Sequence, residues 1–364
     1  MRVHERTPSV RAEGYGIAIH ENGLRVLEAL GVREAVQAQG LRVTRLVTRD
    51  GAGRIVASVP VPGRTHRWSR QAIVEALAMR VARLGGMLET DSTVEAVTPD
   101  GFVTRVIGGA ACSALDSARA ELPRADLVVI ANGIGSGLAA PLGLVERRRT
   151  LADGAMRLVV PRLEQEVDPG GPEGAAVVEQ WSGTRRVIYS PCSTNEAYLA
   201  LTCLARDPDG QRVPLHRLSW QDAFPALEAL FDCIDGHADW TQVRWQRFQV
   251  LQLSAWSQGC VAVVGDAAHA MPPNLGQGAG CSLMNALGLA VALETEPHDV
   301  AAALASWEQR ERPLTEHVQR WSARYGGATV WPAPLRGAFF ALIGQSSWVR
   351  HQVQRAQLHR PTGT

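Results

Sequence analysis

Residues 261–280 combine a buried strand, a glycine turn and an acidic residue in an order that suits ligand binding. Val261 to Val264 form a short apolar run that ends at Gly265, which predicts a buried strand. Gly265 lets the backbone turn and approach a ligand closely, because it has no Cβ. Asp266 follows at the carboxyl end of this strand, where open α/β sheets bind ligands, and its carboxylate can accept hydrogen bonds from hydroxyl groups. The stretch therefore predicts a ligand site.

The loop after this turn favours negative charge at its far end. Pro272 and Pro273 stiffen the loop and remove two backbone donors. Residues 276–278, Gly-Gln-Gly, present backbone N–H groups where the next helix begins, and the positive end of a helix favours developing negative charge. The apolar run 282–293 is long enough to be that helix rather than a strand. Taken alone, such a loop is also found in ordinary glycine-rich connections.

About a dozen positions of this stretch agree in residue type and spacing with one known motif. The stretch closely resembles the flavin-binding GD motif of the FAD-dependent aromatic hydroxylases, the group A flavin monooxygenases that are like para-hydroxybenzoate hydroxylase. The resemblance implies that Asp266 bonds the ribityl chain of FAD and that the Pro273 carbonyl lies near the reacting centre. It also implies that the backbone of residues 275–278 stabilises negative charge at N1/C2=O of the reduced flavin.

The same resemblance assigns roles residue by residue. His269 could act as an acid–base group, but in this motif we interpret it as structural. The implied catalytic positions are Pro273 and Gly276. The implied cofactor contacts in the motif are Gly265, Asp266, Pro273, Leu275, Gly276, Gln277, Gly278 and Ala279.

Three further segments match the family pattern with some departures. Glu5 and Arg6 follow a short strand-like run, as the pair that holds the adenosine ribose does in the family, and Arg70 begins a helix that matches an element near the flavin. Arg70 is equally compatible with a plain surface arginine. Asn132 lies in a DG-like motif where aspartate is usual, so the lost charge leaves its role with FAD and the nicotinamide nucleotide open. No G-x-G-x-x-G turn is found, and the pattern predicts a first βα unit before Met1.

Residues 155–253 change to a β-rich texture, where the family has its substrate-binding sheet. Aromatic side chains in this region are core residues by default, but they could also line an aromatic pocket. The four candidates for the substrate pocket are Trp181, Tyr189, Trp245 and Phe248.

Composition excludes several other kinds of chemistry. The 364 residues are 46% hydrophobic and 20% charged with a net charge of +1, which gives no reason to expect contacts with nucleic acid or a membrane. The chain contains no lysine, which excludes Schiff-base and P-loop lysine chemistry. Its six cysteines, including Cys112, form no C-x-x-C pair, so we expect no metal site, reduced thiols and a cytoplasmic location.

We therefore predict an α/β fold in which a Rossmann-like parallel FAD-binding sheet of the GR2 type carries an inserted, mostly antiparallel substrate-binding sheet. The predicted parts are residues 1–150 and 256–330 for the FAD-binding domain, 151–255 for the substrate domain and 331–364 for a helical tail. The resemblance implies a monomer or homodimer that hydroxylates a small aromatic or polyketide-like substrate with O₂ and NADH or NADPH, through a flavin C4a-hydroperoxide. The alternatives are another flavin oxidoreductase of this fold and a truncated or degenerate, non-catalytic relative.

Overall fold

A computed structural model of the chain describes residues 1–10, 16–107, 118–163 and 175–364. Cys112 lies outside these ranges. The strands are β1 Arg2–His4, β2 Gly16–Ile19, β3 Leu41–Asp50, β4 Ile55–Pro60, β5 His66–Ser69, β6 Met87–Glu89, β7 Val94–Val97, β8 Val103–Ile107, β9 Ala118–Glu121, β10 Val128–Ile130, β11 Val145–Pro161, β12 Ala175–Ser182, β13 Arg185–Pro191, β14 Glu196–Leu204, β15 Gln246–Leu253, β16 Ser257–Gln258 and β17 Val261–Val263. The helices are α1 Glu21–Ala29, α2 Arg33–Gln37, α3 Arg70–Arg83, α4 Arg217–Ala223, α5 Glu228–His237, α6 Asp266–His269, α7 Gly278–Thr295, α8 Val300–Gly327, α9 Ala333–Gln345 and α10 Ser347–Gln354.

Short parallel pairs hold the two strands that end at predicted cofactor residues. β17 pairs with β10 in parallel, with Val128 opposite Val261, and β1 pairs with β6 in a separate parallel pair. All three residues of β17 are buried, because Val261 to Val263 pack into an apolar core with α7 and α8. The parallel strands and covering helices confirm the α/β class.

The largest sheet is mostly antiparallel and has the order β15-β11-β14-β13-β12-β3-β5-β2, with β4 paired to β3. One of its pairings, β12 with β3, is parallel. The inserted antiparallel sheet is therefore confirmed as an architecture. Its strands β2, β3 and β5 come from residues 16–69, so membership of this sheet does not follow the predicted division at residue 150.

The two faces of this sheet have different surroundings. On one face, side chains such as Met156 and Leu199 pack against Trp220 and Phe231 of α4 and α5. On the other face, Trp181 packs against Tyr325 of α8 and Phe340 of α9. This second face also meets Leu275 of the loop that follows β17, so it is the face that borders the GD-like motif.

Two helices relate differently to their local sequence. Helix α3 begins at Arg70, as the sequence predicts. A proline usually ends a helix, yet α8 contains Pro313 and continues to Gly327. The guanidinium of Arg312, the residue before this proline, donates to the carbonyls of Leu253 and Ser254 and so fixes the helix beside the end of β15.

The cysteines at 192, 203, 233, 260 and 281 are free thiols. Within the described ranges, no helix is both long enough and apolar enough to cross a lipid bilayer.

The start of α1 is held by a buried carboxylate that yields a testable stability prediction. Glu21 accepts hydrogen bonds from Arg64 at 2.6 and 2.9 Å and from Arg25 at 3.1 Å. These bonds, chiefly those from Arg64, outweigh the cost of burial and lower the pKa of Glu21 to about 2. We expect Glu21→Gln to lower the free energy of unfolding at pH 7 by about 2 kcal/mol.

The pH dependence separates this ion pair from simple packing. The Glu21 carboxylate has a lower pKa in the folded protein than the 4.5 of the unfolded chain. It therefore stabilises the fold fully above pH 4.5, and this stabilisation is lost as the pH falls through about 2. In urea unfolding between pH 7 and 2, the free energy of unfolding of the wild type should therefore fall more than that of Glu21→Gln. Asp50→Asn, which removes an exposed pair with Arg54, is the matched control and should change little. Equal pH dependence in the wild type and Glu21→Gln would contradict the assignment.

Candidate active site

Gly265 makes the turn that presents Asp266. Its φ of 62° and ψ of −148° lie in a region that essentially only glycine occupies. Asp266 is exposed to solvent, yet the surrounding protein raises its pKa, and the nearby Arg70 charge offsets this only in part. A carboxylate that is accessible to solvent and also surrounded by protein atoms is typical of a cleft. The structure thus brings Asp266 and Arg70 near each other at one opening.

The loop after α6 is shaped by its prolines and by Gly276. Pro273–Leu275 form one 3-10 turn, and the Gly276 N–H donates to the Pro273 carbonyl at 3.0 Å. Gly276 has φ 62° and ψ 21°, a left-handed conformation that favours glycine. The sequence pattern predicts that the Gly276 N–H is open to a ligand. In the structure it is instead used inside the loop.

The open donors lie one residue later, at the start of α7. The first bond of this 18-residue helix runs from the Cys281 N–H to the Gln277 carbonyl, which leaves the N–H groups of residues 278–280 without partners inside the helix. Among the described residues, no side chain caps this end, and a Cβ added at Gly278 would meet no atom within 4 Å. The Gln277 Nε2 is buried and has no hydrogen-bond partner within the part of the chain described. This end of α7 has the space and the donors to hold an electron-rich group.

His20 closes the other side of the loop. A Cβ at Gly276 would lie 3.3 Å from His20 Nε2, so the imidazole borders the loop directly. Its Nδ1 lies 2.9 Å from Thr65 Oγ1. Burial, with a smaller contribution from the Arg67 charge, lowers the pKa of His20 to about 3. A neutral imidazole therefore faces the loop at physiological pH.

The large sheet places two charged side chains, Glu179 and Arg157, on the face that meets this loop. Strand pairing aligns Glu179 with Ile188, Ala200 and Arg157, so these four side chains share one face. Glu179 is buried, and its Oε2 accepts a hydrogen bond of 2.9 Å from the Tyr325 hydroxyl. Burial and the Glu179 charge raise the pKa of Tyr325 well above its usual value, so the hydroxyl stays protonated and keeps donating.

Arg186 connects that sheet face to the loop. Its side chain is buried, with 1% of the residue exposed, and it donates from Nη2 to Asn274 Oδ1 at 2.8 Å. The guanidinium also stacks 4.8 Å from the Trp181 ring centre. Asn274 in turn donates to the Ser322 carbonyl of α8 at 3.1 Å. The loop is therefore fastened to the sheet on one side and to α8 on the other.

Arg67 lies close to the same face. Its guanidinium is 5.6 Å from the Tyr198 ring centre, and its charge also acts on His20 and Glu179. Burial lowers the pKa of Arg67, and its Nε has no hydrogen-bond partner among the described residues. Arg67 and Glu179 thus place opposite charges near one another beside the loop.

The four predicted pocket aromatics divide between the two faces of the sheet. Trp181 packs beside Leu275, and Phe248 lies under the guanidinium of Arg157, so both belong to the face that carries Glu179. Tyr189 and Trp245 instead pack into the apolar core covered by α4 and α5. Tyr189 is paired with Val178, which is the neighbour of Glu179 on β12. Because successive side chains of a strand point to opposite faces of the sheet, Tyr189 lies on the face opposite to that of Glu179. We assign those two side chains to the core.

The remaining predicted cofactor residues lie at strand ends. Glu5 follows β1, and its carboxylate accepts bonds from Thr7 N at 2.8 Å and Thr7 Oγ1 at 3.0 Å. Arg6 and Asn132 are exposed, and Asn132 lies two residues after the end of β10. Their roles with a cofactor stay predictions.

His269 is held as a neutral core residue. Burial lowers its pKa to about 4, and its Nε2 lies 3.0 Å from Asn285 Nδ2, which fixes Nε2 as the acceptor. Its ring packs 5.4 Å from Trp256. This environment suits the structural interpretation of His269. Within the described ranges, no group of three or more His, Cys, Asp or Glu side chains could hold a metal ion.

Sequence reasoning missed six residues of this site. Glu179 carried a usable signal, because it is an acidic residue inside an apolar strand, and such residues are rarely buried without a partner. The others required the fold to bring distant segments together. The missed residues are His20, Arg67, Glu179, Arg186, Asn274 and Tyr325.

The residues present fit FAD at the GD-like motif. The uncapped end of α7 and the orphaned Gln277 amide are donors for the electron-rich side of a flavin ring, and Asp266 is an acceptor for ribityl hydroxyls. Because the space at Gly278 is free of side chains, a planar ring can approach the helix end. The chemistry of this donor and acceptor set therefore agrees with the cofactor that the sequence pattern implies.

Comparison with known proteins supports the same cofactor. A family model described as an FAD binding domain matches residues 2–322. A putative 2-heptyl-3-hydroxy-4(1H)-quinolone synthase from Rhodococcus erythropolis is 36% identical, over 100% of this chain and 91% of that protein. The 2-heptyl-3-hydroxy-4(1H)-quinolone synthase of Mycobacteroides abscessus is 34% identical, over 95% and 88% of the two chains. A crystal structure of 2-methyl-3-hydroxypyridine-5-carboxylic acid oxygenase is 32% identical with a TM-score of 0.82, over 99% and 90% of the chains.

The Asp266 carboxylate gives a test of the cofactor site. We expect Asp266→Ala to weaken FAD binding at least about tenfold, because a hydrogen bond from a hydroxyl to a charged acceptor is lost. Asp266→Asn should weaken it less, since the amide oxygen can still accept. The measurement is a titration of FAD followed by quenching of its fluorescence. Asp100→Ala, at an exposed turn, is the control, and unchanged affinity in Asp266→Ala would refute the role.

Proposed function

This chain belongs to the FAD binding domain family that its sequence matches, and we propose that its substrate is a nitrogen-heteroaromatic compound of the hydroxypyridine or quinolone class. The protein is an FAD-dependent monooxygenase that uses NADH or NADPH, and the non-catalytic alternative is not favoured by its relatives. The finer proposal concerns the ring that is hydroxylated. The observation that carries it is the buried Glu179 carboxylate on the sheet face beside the loop of residues 272–276, where its Oε2 accepts a hydrogen bond from the Tyr325 hydroxyl.

The proposed reaction converts a ring C–H, O₂, NAD(P)H and a proton into a ring C–OH, water and NAD(P)⁺. Bound FAD would supply the two-electron chemistry that connects the nicotinamide to O₂. The protein's part is to bind, orient and exclude water. Asp266, the backbone at the start of α7 and Gln277 would hold the cofactor, with Arg70 near the same opening.

Charge complementarity supports the proposed class of ring. A 4-quinolone, and a hydroxypyridine in its pyridone or zwitterionic form, presents a ring N–H donor and an oxygen that carries full or partial negative charge. Glu179 is a buried acceptor whose carboxylate has lone pairs beyond the one used by Tyr325, so it can receive an N–H. Arg67 is a nearby cation with an unpartnered Nε, which suits the oxygen. A carbocyclic phenol would satisfy Arg67 but leave Glu179 without a donor from the substrate, which costs binding energy.

Apolar contacts would complete the pocket. Trp181 and Phe248 remain the aromatic candidates, because both lie on the Glu179 face. Trp181 is immobilised between the guanidinium groups of Arg186 and Arg336, at 4.8 and 5.3 Å from its ring. A rigid indole positioned in this way can form an apolar wall beside a flat ring without further loss of conformational freedom.

The proposal is tested with a panel of ring types. Matched 2-alkyl-4-quinolones, hydroxypyridine carboxylates and hydroxybenzoates are offered with ¹⁸O₂, and NAD(P)H oxidation and label incorporation are measured. We expect the nitrogen heterocycles to stimulate oxidation and to gain one ¹⁸O atom. Preference for hydroxybenzoates, or oxidation that yields only hydrogen peroxide with every nitrogen heterocycle, would overturn the proposed substrate class.

The Glu179 contact yields a separate prediction about affinity. Glu179→Gln should raise KM for a nitrogen heterocycle by about 10- to 100-fold, because a charge-assisted hydrogen bond is lost, while KM for NAD(P)H stays the same. Glu196→Gln, an exposed glutamate of β14 in the same sheet, is the matched control. An equal rise in KM for a carbocyclic phenol would show that Glu179 acts through structure and not through the ring nitrogen.

A further inference from the structure

We propose that the outer face of α9, together with the start of α10, docks on an anionic membrane surface. This face consists of Trp331, Leu335, Ala338, Leu342 and Trp348, and we call it the α9 stripe. The four large side chains are exposed to 39%, 61%, 50% and 64% of their full area, in chain order. Contiguous exposed apolar side chains of this size mark an interaction surface.

The stripe has the form of a helix that lies in a membrane interface. Leu335, Ala338 and Leu342 are three and four residues apart on α9, so they line one side of the helix. Trp331 precedes the helix by two residues and Trp348 lies in the first turn of α10. Leucine between two tryptophans is the arrangement that interfacial segments use, since the indole ring prefers the boundary between lipid and water.

Charge near the stripe fits an anionic partner. Residues 317–364 contain six arginines and no aspartate or glutamate. Trp348 packs 6.2 Å from Trp321, and the Arg324 guanidinium lies 5.4 Å from the same Trp321 ring, so one positive charge is adjacent to the stripe. Arg355 and Arg360 are exposed just beyond α10. Basic residues beside an exposed apolar face are attracted to anionic lipid.

The same charges disfavour a second copy of this chain as the occupant. A two-fold contact through the stripe would bring two sets of arginines together, with no acidic residue in the segment to compensate. Composition alone predicted no membrane contact, because a net charge of +1 conceals this local concentration of arginine. The proposal departs from that expectation for surface docking and not for any membrane-spanning segment.

The inner face of α9 connects the stripe to the active site. Phe340 packs 5.3 Å from Trp181, and Arg336 donates to the Gly183 carbonyl while it stacks on the same indole. One layer of side chains therefore separates the docking face from the pocket. The use we infer, uptake of an apolar substrate from lipid, rests on the proposed function, but the docking itself does not.

The test is binding of the full chain, loaded with FAD, to lipid vesicles. Vesicles of phosphatidylcholine alone are compared with vesicles that contain about a third phosphatidylglycerol, by co-sedimentation at low and high salt. We expect binding to the anionic vesicles that weakens as salt rises. Leu342→Ser with Trp348→Ser should reduce it at least about tenfold, and Arg355→Gln with Arg360→Gln roughly fivefold for each charge that faces the lipid.

Matched controls keep the result specific. Leu218→Ser removes an equally exposed leucine from α4, and Arg206→Gln with Arg212→Gln removes two exposed charges far along the chain from the stripe. Both should bind as the wild type does. Circular dichroism and retained FAD establish that each variant is folded. If the double variant Leu342→Ser with Trp348→Ser does not fold, the milder Leu342→Gln replaces it in the binding assay.

Two outcomes would overturn the inference. One is equal retention of wild type and stripe variants on anionic vesicles. The other is a dimer, measured by light scattering without lipid, that the stripe variants convert to a monomer, which would assign the stripe to a second copy. None of these measurements uses substrate turnover, so a failure of the proposed substrate class and a failure of docking are seen separately.

Discussion

The buried hydrogen bond between Arg186 and Asn274 is the constraint on which the site depends. It joins the middle of the large sheet to the loop between Pro273 and Leu275, two segments that are 88 residues apart. A buried cation is costly unless it is compensated, and here the Asn274 amide oxygen and the Trp181 ring share that task. If the bond were lost, the loop would keep its own turn but would no longer be positioned against the sheet.

The electrostatic design of the site follows from this arrangement. Burial raises the pKa of Asp153 and of Tyr325, while it lowers the pKa of His20 and His269. Each of these groups is therefore driven towards its neutral form, and the charges that remain beside the loop belong to arginines and to Glu179. A site with fixed cations and neutral histidines is suited to holding an electron-rich ring, and among the described residues no group of three or more His, Cys, Asp or Glu side chains could hold a metal ion.

Sequence predicted the local geometry well because local geometry is encoded locally. Gly265 and Gly276 both adopt positive φ. The strand, the turn and the helix start at residues 261–278 can be predicted from the glycines, the prolines and the apolar runs of the sequence. Pro313 shows the limit of a local rule, because a proline usually ends a helix, yet α8 continues through it to Gly327. Tyr189 and Trp245 pack into the core covered by α4 and α5, which their aromatic type alone does not reveal.

The partners that complete the site could not be read from the chain, because they come from four separate segments. Glu179 and Tyr325 are 146 residues apart, and their hydrogen bond exists only because α8 crosses the sheet. The same crossing places α9 over Trp181, with Phe340 inward and Leu342 outward, so one short helix has both an active-site face and a solvent face. An exposed apolar face costs solubility and is kept only when something covers it in use. The proposed pocket wall and the proposed docking surface are thus two sides of one element, and Trp181 contacts its inner side through Phe340 and Arg336.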